Sequence, residues 1–101
     1  MSLQGFSQLV YPKQAAMVSI TNKATGGSIG DAADTVDIAT LIVVTQTTAG
    51  QTLTLLDPTN TTPGMVIGVV NIGTQDFTMA TRTVANGDPI SLFWWDGSDW
   101  N

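Results

Sequence analysis

Leu41-Ile42-Val43-Val44 and, a few residues on, Thr52-Leu53-Thr54-Leu55 carry two different strand signals. The first is a continuous apolar run, the pattern of a strand buried on both faces. The second alternates apolar and polar residues, as a strand does when one face meets a core and the other meets water. Asp57-Pro58-Thr59-Asn60 stops the second strand, and Pro63-Gly64 after it is a typical turn opening.

The same reading extends outward. On the N-terminal side, Val18 and Ile20 alternate with Ser19 and Thr21 in a half-buried strand over Met17 to Lys23, and Gly26 to Asp31 is a turn-rich loop. Val36 and Ile38 alternate before the apolar run, with a phase slip near Ala39-Thr40 that suits a bulge or a change of sheet. On the C-terminal side, Met65 to Ile72 is a second mostly apolar strand, in which Gly68 would let another backbone come close. Phe77 and Met79 alternate again, and Asn86-Gly87-Asp88-Pro89 turns the chain once more. In the last segment Ile90, Leu92 and Trp94 share one strand face, opposite Phe93 and Trp95, and Asp96-Gly97 is a strong hairpin signal before Trp100.

Thr, Val, Ile and Gly dominate, and no helical pattern of useful length survives them. The expectation is an all-β fold, an antiparallel β-sandwich or barrel of about seven strands at spacings of about 10 to 15 residues. Residues 1–14 lack any clear period and form an irregular N-terminal arm; residues 15–101 form a single β domain. The chain shows no internal repeats and no coiled-coil heptads.

Composition narrows the function. Charged residues make up only 11% of the chain, all eight acids are Asp, and the three cations are Lys13, Lys23 and Arg82, for a net charge of −5. Three scattered cations cannot form the basic stripe that phosphate contacts require, so nucleic acid is not an expected partner. An anionic membrane surface is disfavoured on the same ground, and no segment has the roughly 20 apolar residues of a membrane span. The N-terminal residues have neither the basic start nor the apolar run of a signal peptide. With no His and no Cys, the usual zinc sites and disulfides are absent.

No activated nucleophile or perturbed acid pair can be argued, so the chain reads as a non-enzyme without catalytic residues or cofactor. Each Asp lies in or beside a turn, where its side chain satisfies local N–H groups. Asp31, Asp34 and Asp37 could together supply oxygen ligands to calcium. The alternation at Val36 and Ile38 instead puts Asp37 on an outer strand face, which favours a solvated loop leading into a strand. Asp96-Gly97-Ser98-Asp99 is too short for a calcium loop and reads as a hairpin turn. No metal site is assigned.

A small β domain with so little charge is poorly soluble alone, which points to a homo-oligomer or a bound state. The tryptophans Trp94 and Trp95 face opposite ways, so one is expected inside and the other outside or at a subunit contact. Trp95 and Trp100 are assigned to the inter-subunit contact, with packing in the chain's own core and stacking on a sugar as the competing roles. The apolar arm residues Phe6, Leu9, Val10 and Tyr11 are assigned to partner contact.

Thr52-Leu53-Thr54-Leu55, Pro63-Gly64-Met65-Val66-Ile67, Val70-Asn71-Ile72-Gly73, Phe77 and Trp95-Asp96-Gly97-Ser98-Asp99-Trp100 follow in an order that resembles β-rich modules of tailed-bacteriophage structural proteins. The resemblance covers Gln51 to Asn101; each element is short, and their order is what carries it. Such modules occur as capsid decoration (cement) proteins and at tail-fibre tips, and they are commonly trimeric. A chain that starts at Met1 and has no shaft fits the decoration type better. The resemblance therefore implies a virion protein on the outer capsid surface, a homotrimer bound to the major capsid protein shell, which it stabilises. A tail-fibre or receptor/glycan-binding module is the alternative, and a tail-tube or baseplate component is a third.

Overall fold

A computed structural model describes residues 16–29 and 34–101 of the chain. The N-terminal arm expected over residues 1–14 lies outside them. Eight strands and one short helix follow in order: β1 Met17–Ile20, β2 Gly27–Ser28, α1 Asp34–Ile38, β3 Leu41–Val44, β4 Gln51–Thr54, β5 Val66–Asn71, β6 Phe77–Met79, β7 Arg82–Val84 and β8 Ser91–Trp94. They build two four-stranded sheets, ordered β1-β3-β5-β8 and β2-β4-β6-β7.

The expected antiparallel sandwich or barrel does not form. β1, β3 and β5 run parallel in the first sheet, and β2, β4 and β6 run parallel in the second; only β5–β8 and β6–β7 are antiparallel. From β1 to β6 successive strands alternate between the sheets, so each circuit of the chain returns one strand further along. The circuits are nearly equal in length. Leu41 pairs with Met17, 24 residues before it, and with Gly68, 27 residues after it. In the second sheet Leu53 pairs with Gly27 and Gln51 with Phe77, each 26 residues apart. The chain is thus a short coil of stacked rungs, closed by an antiparallel strand on each sheet. Asp57-Pro58 follows the end of β4 and Pro63-Gly64 precedes β5, but between them the chain crosses to the other sheet instead of folding back beside itself. Parallel strands require such long crossovers.

The rungs also overturn the expectation of no repeats. Val18-Ser19-Ile20-Thr21-Asn22 lies over Ile42-Val43-Val44-Thr45-Gln46, which lies over Val69-Val70-Asn71-Ile72-Gly73. Inward-facing residues stack in register, Val18 on Ile42 on Val69 and Ile20 on Val44 on Asn71. With Leu53, Phe77, Met79 and Val84 from the second sheet, and Phe93 from β8, they make one core.

Rung-to-rung contact at the corner after β1, β3 and β5 is polar. Gln46 is fully buried; its Oε1 accepts from the Lys23 N–H (3.1 Å), and its Nε2 donates to the carbonyls of Lys23 (3.0 Å) and Thr48 (2.9 Å). Asn22 Oδ1 accepts from the N–H groups of Thr47 and Thr48, at 2.7 and 3.0 Å. Asn71 Nδ2 donates to the carbonyls of Gln75 and Val84, at 2.7 and 3.2 Å. Among the described residues no buried side-chain nitrogen or oxygen lacks a partner. Gly73 is where two backbones meet most closely: a Cβ there would lie 2.0 Å from the Gln46 carbonyl oxygen. At Gly68 the close neighbour is instead a side chain, and a Cβ there would lie 2.9 Å from Ile90 Cγ2.

Two local expectations also change. Val36 and Ile38 belong to α1, not to a strand, with Thr35, Val36 and Ala39 buried at helical spacing. The phase slip at Ala39-Thr40 is the passage from this helix into β3. The hairpin between β6 and β7 turns on Ala80 and Thr81, both at positive φ (48° and 63°), without the glycine or asparagine that such a turn prefers.

Candidate assembly surface

The outer face of the first sheet is mostly apolar and carries no charged side chain within its strands. Strand parity and register place Met17, Leu41, Gly68 and Leu92 in one row across it, and Val66 with Trp94 in another. Beyond the first row, on the side away from Val66 and Trp94, run Ser19, Val43 and Val70, with Ile90 extending the register just before β8. Ile72 continues the outward parity one step past β5. Met17, Val66, Ile72, Ile90, Leu92 and Trp94 are about half exposed or more, from 49% at Trp94 to 62% at Ile72. Apart from Ser19, no polar or charged side chain stands in these rows. Exposed to that degree, the six present on the order of 600 Å² of apolar surface, where the largest patch on a typical monomer covers about 300–600 Å².

Trp94 and Trp95 do point to opposite sides, but in the opposite sense to the assignment made from sequence. Trp95 is 1% exposed and faces inward. Its Nε1 donates to the Thr61 carbonyl (3.1 Å), while Trp100 packs on it edge to face at 5.5 Å and donates from Nε1 to the Leu56 carbonyl (2.9 Å). Both rings fasten the crossover between β4 and β5 to the end of the chain, so Trp95 has no surface left for a sister subunit. The exposed ring is Trp94.

The terminal hairpin forms as expected. Trp95 bridges Trp100, and the backbones of Trp94 and Asn101 exchange N–H···O bonds of 3.0 and 2.8 Å. Asp96 organises the turn between them: Asn101 Nδ2 and the N–H groups of Asp99 and Ser98 donate to its carboxylate, which holds its pKa below the usual aspartate range. Arg82 locks the same end, donating to the Leu92 carbonyl and lying 3.9 Å over the Phe93 ring.

Of the other residues singled out in the sequence, Phe6, Leu9, Val10, Tyr11 and Asp31 lie outside the described residues. Asp37 is on α1, not on a strand face, and accepts from the Thr59 hydroxyl (2.6 Å) and N–H (2.8 Å), which lower its pKa in that order of effect. Among the described residues no group of three potential ligands could hold a metal ion. No helix among them is long and apolar enough to cross a membrane.

One hollow was not foreseen. Beside Trp100 an open groove of about 280 Å³ is lined by Thr52, Thr54, Asp57, Ala80 and Asp99, among others. It adjoins a second hollow formed by Thr81, Arg82 and Asn101. The left-handed Ala80-Thr81 turn forms its wall, and no glycine marks that turn in the sequence.

No protein family, curated protein or solved structure matches the chain.

Proposed function

We propose that this chain is a structural subunit of a tailed-bacteriophage virion: a homotrimeric capsid decoration (cement) protein that binds the outer surface of the major capsid protein shell and stabilises it. The observation that carries this reading is the uncharged, exposed outer face of the first sheet, which leaves the chain incomplete as a monomer. The ordered resemblance over Gln51 to Asn101 supplies the virion context. Those residues are β4, the third rung and the two closing strands, a coherent half of the coil.

Such a role needs shape and rigidity but no chemistry, and the satisfied amide corner and tightly packed core supply both. Binding only to an assembled shell stabilises that shell by mass action. Three copies on a three-fold site gain further through effective concentration, so weak single contacts suffice. The arm residues Phe6, Leu9, Val10 and Tyr11 remain the proposed shell-contacting element. Particles with and without the protein, heated or treated with chelator, test the reading. Those lacking it should release their DNA earlier, and equal resistance would defeat the proposal.

The groove at Trp100 favours a second reading, a receptor- or glycan-binding module of a phage tail. An indole flanked by carboxylates and threonine hydroxyls suits a sugar ring, and the volume is close to the low end of ligand pockets, about 300 Å³. A glycan array, with quenching of tryptophan fluorescence as the readout, separates the two readings.

A further inference from the structure

We infer that a second copy of this chain covers the outer face of the first sheet, so that Leu92, Trp94, Val66, Val43 and Val70 form the contact between subunits. This rests on the assembly reading above and names the partner of that surface.

Three observations favour a copy of the chain over a different partner. The face carries no charge, while the chain around it is acidic, with a net charge of −5. A basic partner would be recognised through the aspartates elsewhere and would find nothing complementary here. Copies that meet through their uncharged faces leave all their carboxylates in water. The exposed apolar area, on the order of 600 Å², approaches the roughly 800 Å² per partner of a stable standard interface. At the β8 side the sheet edge is already paired, since Trp94 and Asn101 exchange backbone bonds. Contact there must come from face packing and not from strand addition. Trp94 supplies the large aromatic anchor that such contacts favour. Around a three-fold axis the face is shared between two neighbours, the Val66–Trp94 side of one copy meeting the Val43–Val70 side of the next.

The chain has no cysteine, so one introduced thiol reports contact cleanly. In the full-length protein, Val43→Cys lies at the middle of the face and Thr83→Cys on the outer side of the second sheet. A short bismaleimide should join copies through Val43→Cys and leave Thr83→Cys as monomer; the reverse pattern, or monomer only with both, overturns the inference. In parallel, light scattering should give an oligomeric mass for the wild type. The pair Leu92→Thr with Trp94→Thr should weaken association about a hundredfold or more, with near-ultraviolet dichroism showing that the Trp95–Trp100 packing is kept. An oligomer of unchanged mass in that variant, or a monomeric wild type, also overturns it. If the double variant does not fold, the cross-link decides alone. A wild-type oligomer joined through Val43→Cys that fails to bind phage shells would keep the interface and defeat the decoration reading. A monomer that binds shells would keep the decoration reading and give this face to the shell protein instead.

Discussion

The corner of the coil and the outer face of its first sheet reverse the usual placement of polar and apolar groups. At the corner, Gln46 and Asn71 are buried amides whose hydrogen bonds are all made within the chain. On the outer face, Trp94, Leu92 and Ile90 stand in solvent with nothing on them. The first region is satisfied within the chain, whereas the second leaves large apolar side chains exposed. A buried amide without partners would cost several kcal/mol, so the corner specifies rung register as well as stability. The apolar face carries no such internal requirement, and its residues answer to whatever covers them.

The largest effect should come from Gly73→Ala. Its Cβ would collide with the Gln46 backbone, which cannot move without parting two rungs, so the cost should exceed the about 1–3 kcal/mol of ordinary overpacking and the about 3–5 kcal/mol of emptying a large core site. Little folded protein is the expected result, and a normal melting curve would show that the corner yields more than the packing implies.

The two adjacent tryptophans sharpen the contrast. Trp95→Ala should cost about 3–5 kcal/mol by emptying a core site. In the monomeric double-variant background, restoring the Trp94 ring should move unfolding by no more than about 0.5 kcal/mol. Denaturant unfolding of each measures both, and similar effects would erase the distinction between the two faces.

Gln46→Leu should destabilise by about 2–4 kcal/mol, because the Lys23 N–H and the Lys23 and Thr48 carbonyls lose their partner away from water. A neutral result would mean that those groups find water. In the other direction, Thr81→Gly should stabilise by up to about 1 kcal/mol by relieving a left-handed residue, raising the melting temperature by a few degrees.

The smallest effect concerns pH. Hydrogen bonds to the ionised Asp96 carboxylate lower its pKa in the folded state. Its contribution is therefore fully present above the titration range of an unfolded aspartate and is lost as the pH falls through the lower folded value. Asp96→Asn should melt slightly earlier than wild type at neutral pH, and the gap should close in acid. A gap that widened in acid would contradict the sign.

Strand positions were largely legible in the sequence, while strand direction was not. Asp57-Pro58 after β4 and Pro63-Gly64 before β5 look the same whether the chain between them doubles back or crosses to another sheet. The cue to parallel pairing was the unbroken run Leu41 to Val44, the pattern of a parallel strand covered on both sides, although here only Ile42 and Val44 are buried within the chain. The repeat was hidden because its rungs share parity and a polar corner, not residue identity: Asn22, Gln46 and Gly73 occupy successive corners. The opposite orientations of Trp94 and Trp95 could be read from alternation. Which of them faces inward could not, because Ile90-Leu92-Trp94 is as apolar as Phe93-Trp95 and either set could fill a core. The Trp100 groove left no signal, as its wall is a strained Ala80-Thr81 turn that carries no turn residues.

Sedimentation equilibrium of the full-length wild type, followed by dilution from tens of micromolar at low and high salt, tests the central claim most directly. Copies with a net charge of −5 repel one another while their uncharged faces attract, so a discrete oligomer should persist on dilution and tighten as salt screens the repulsion. A monomer at every concentration and salt would contradict it.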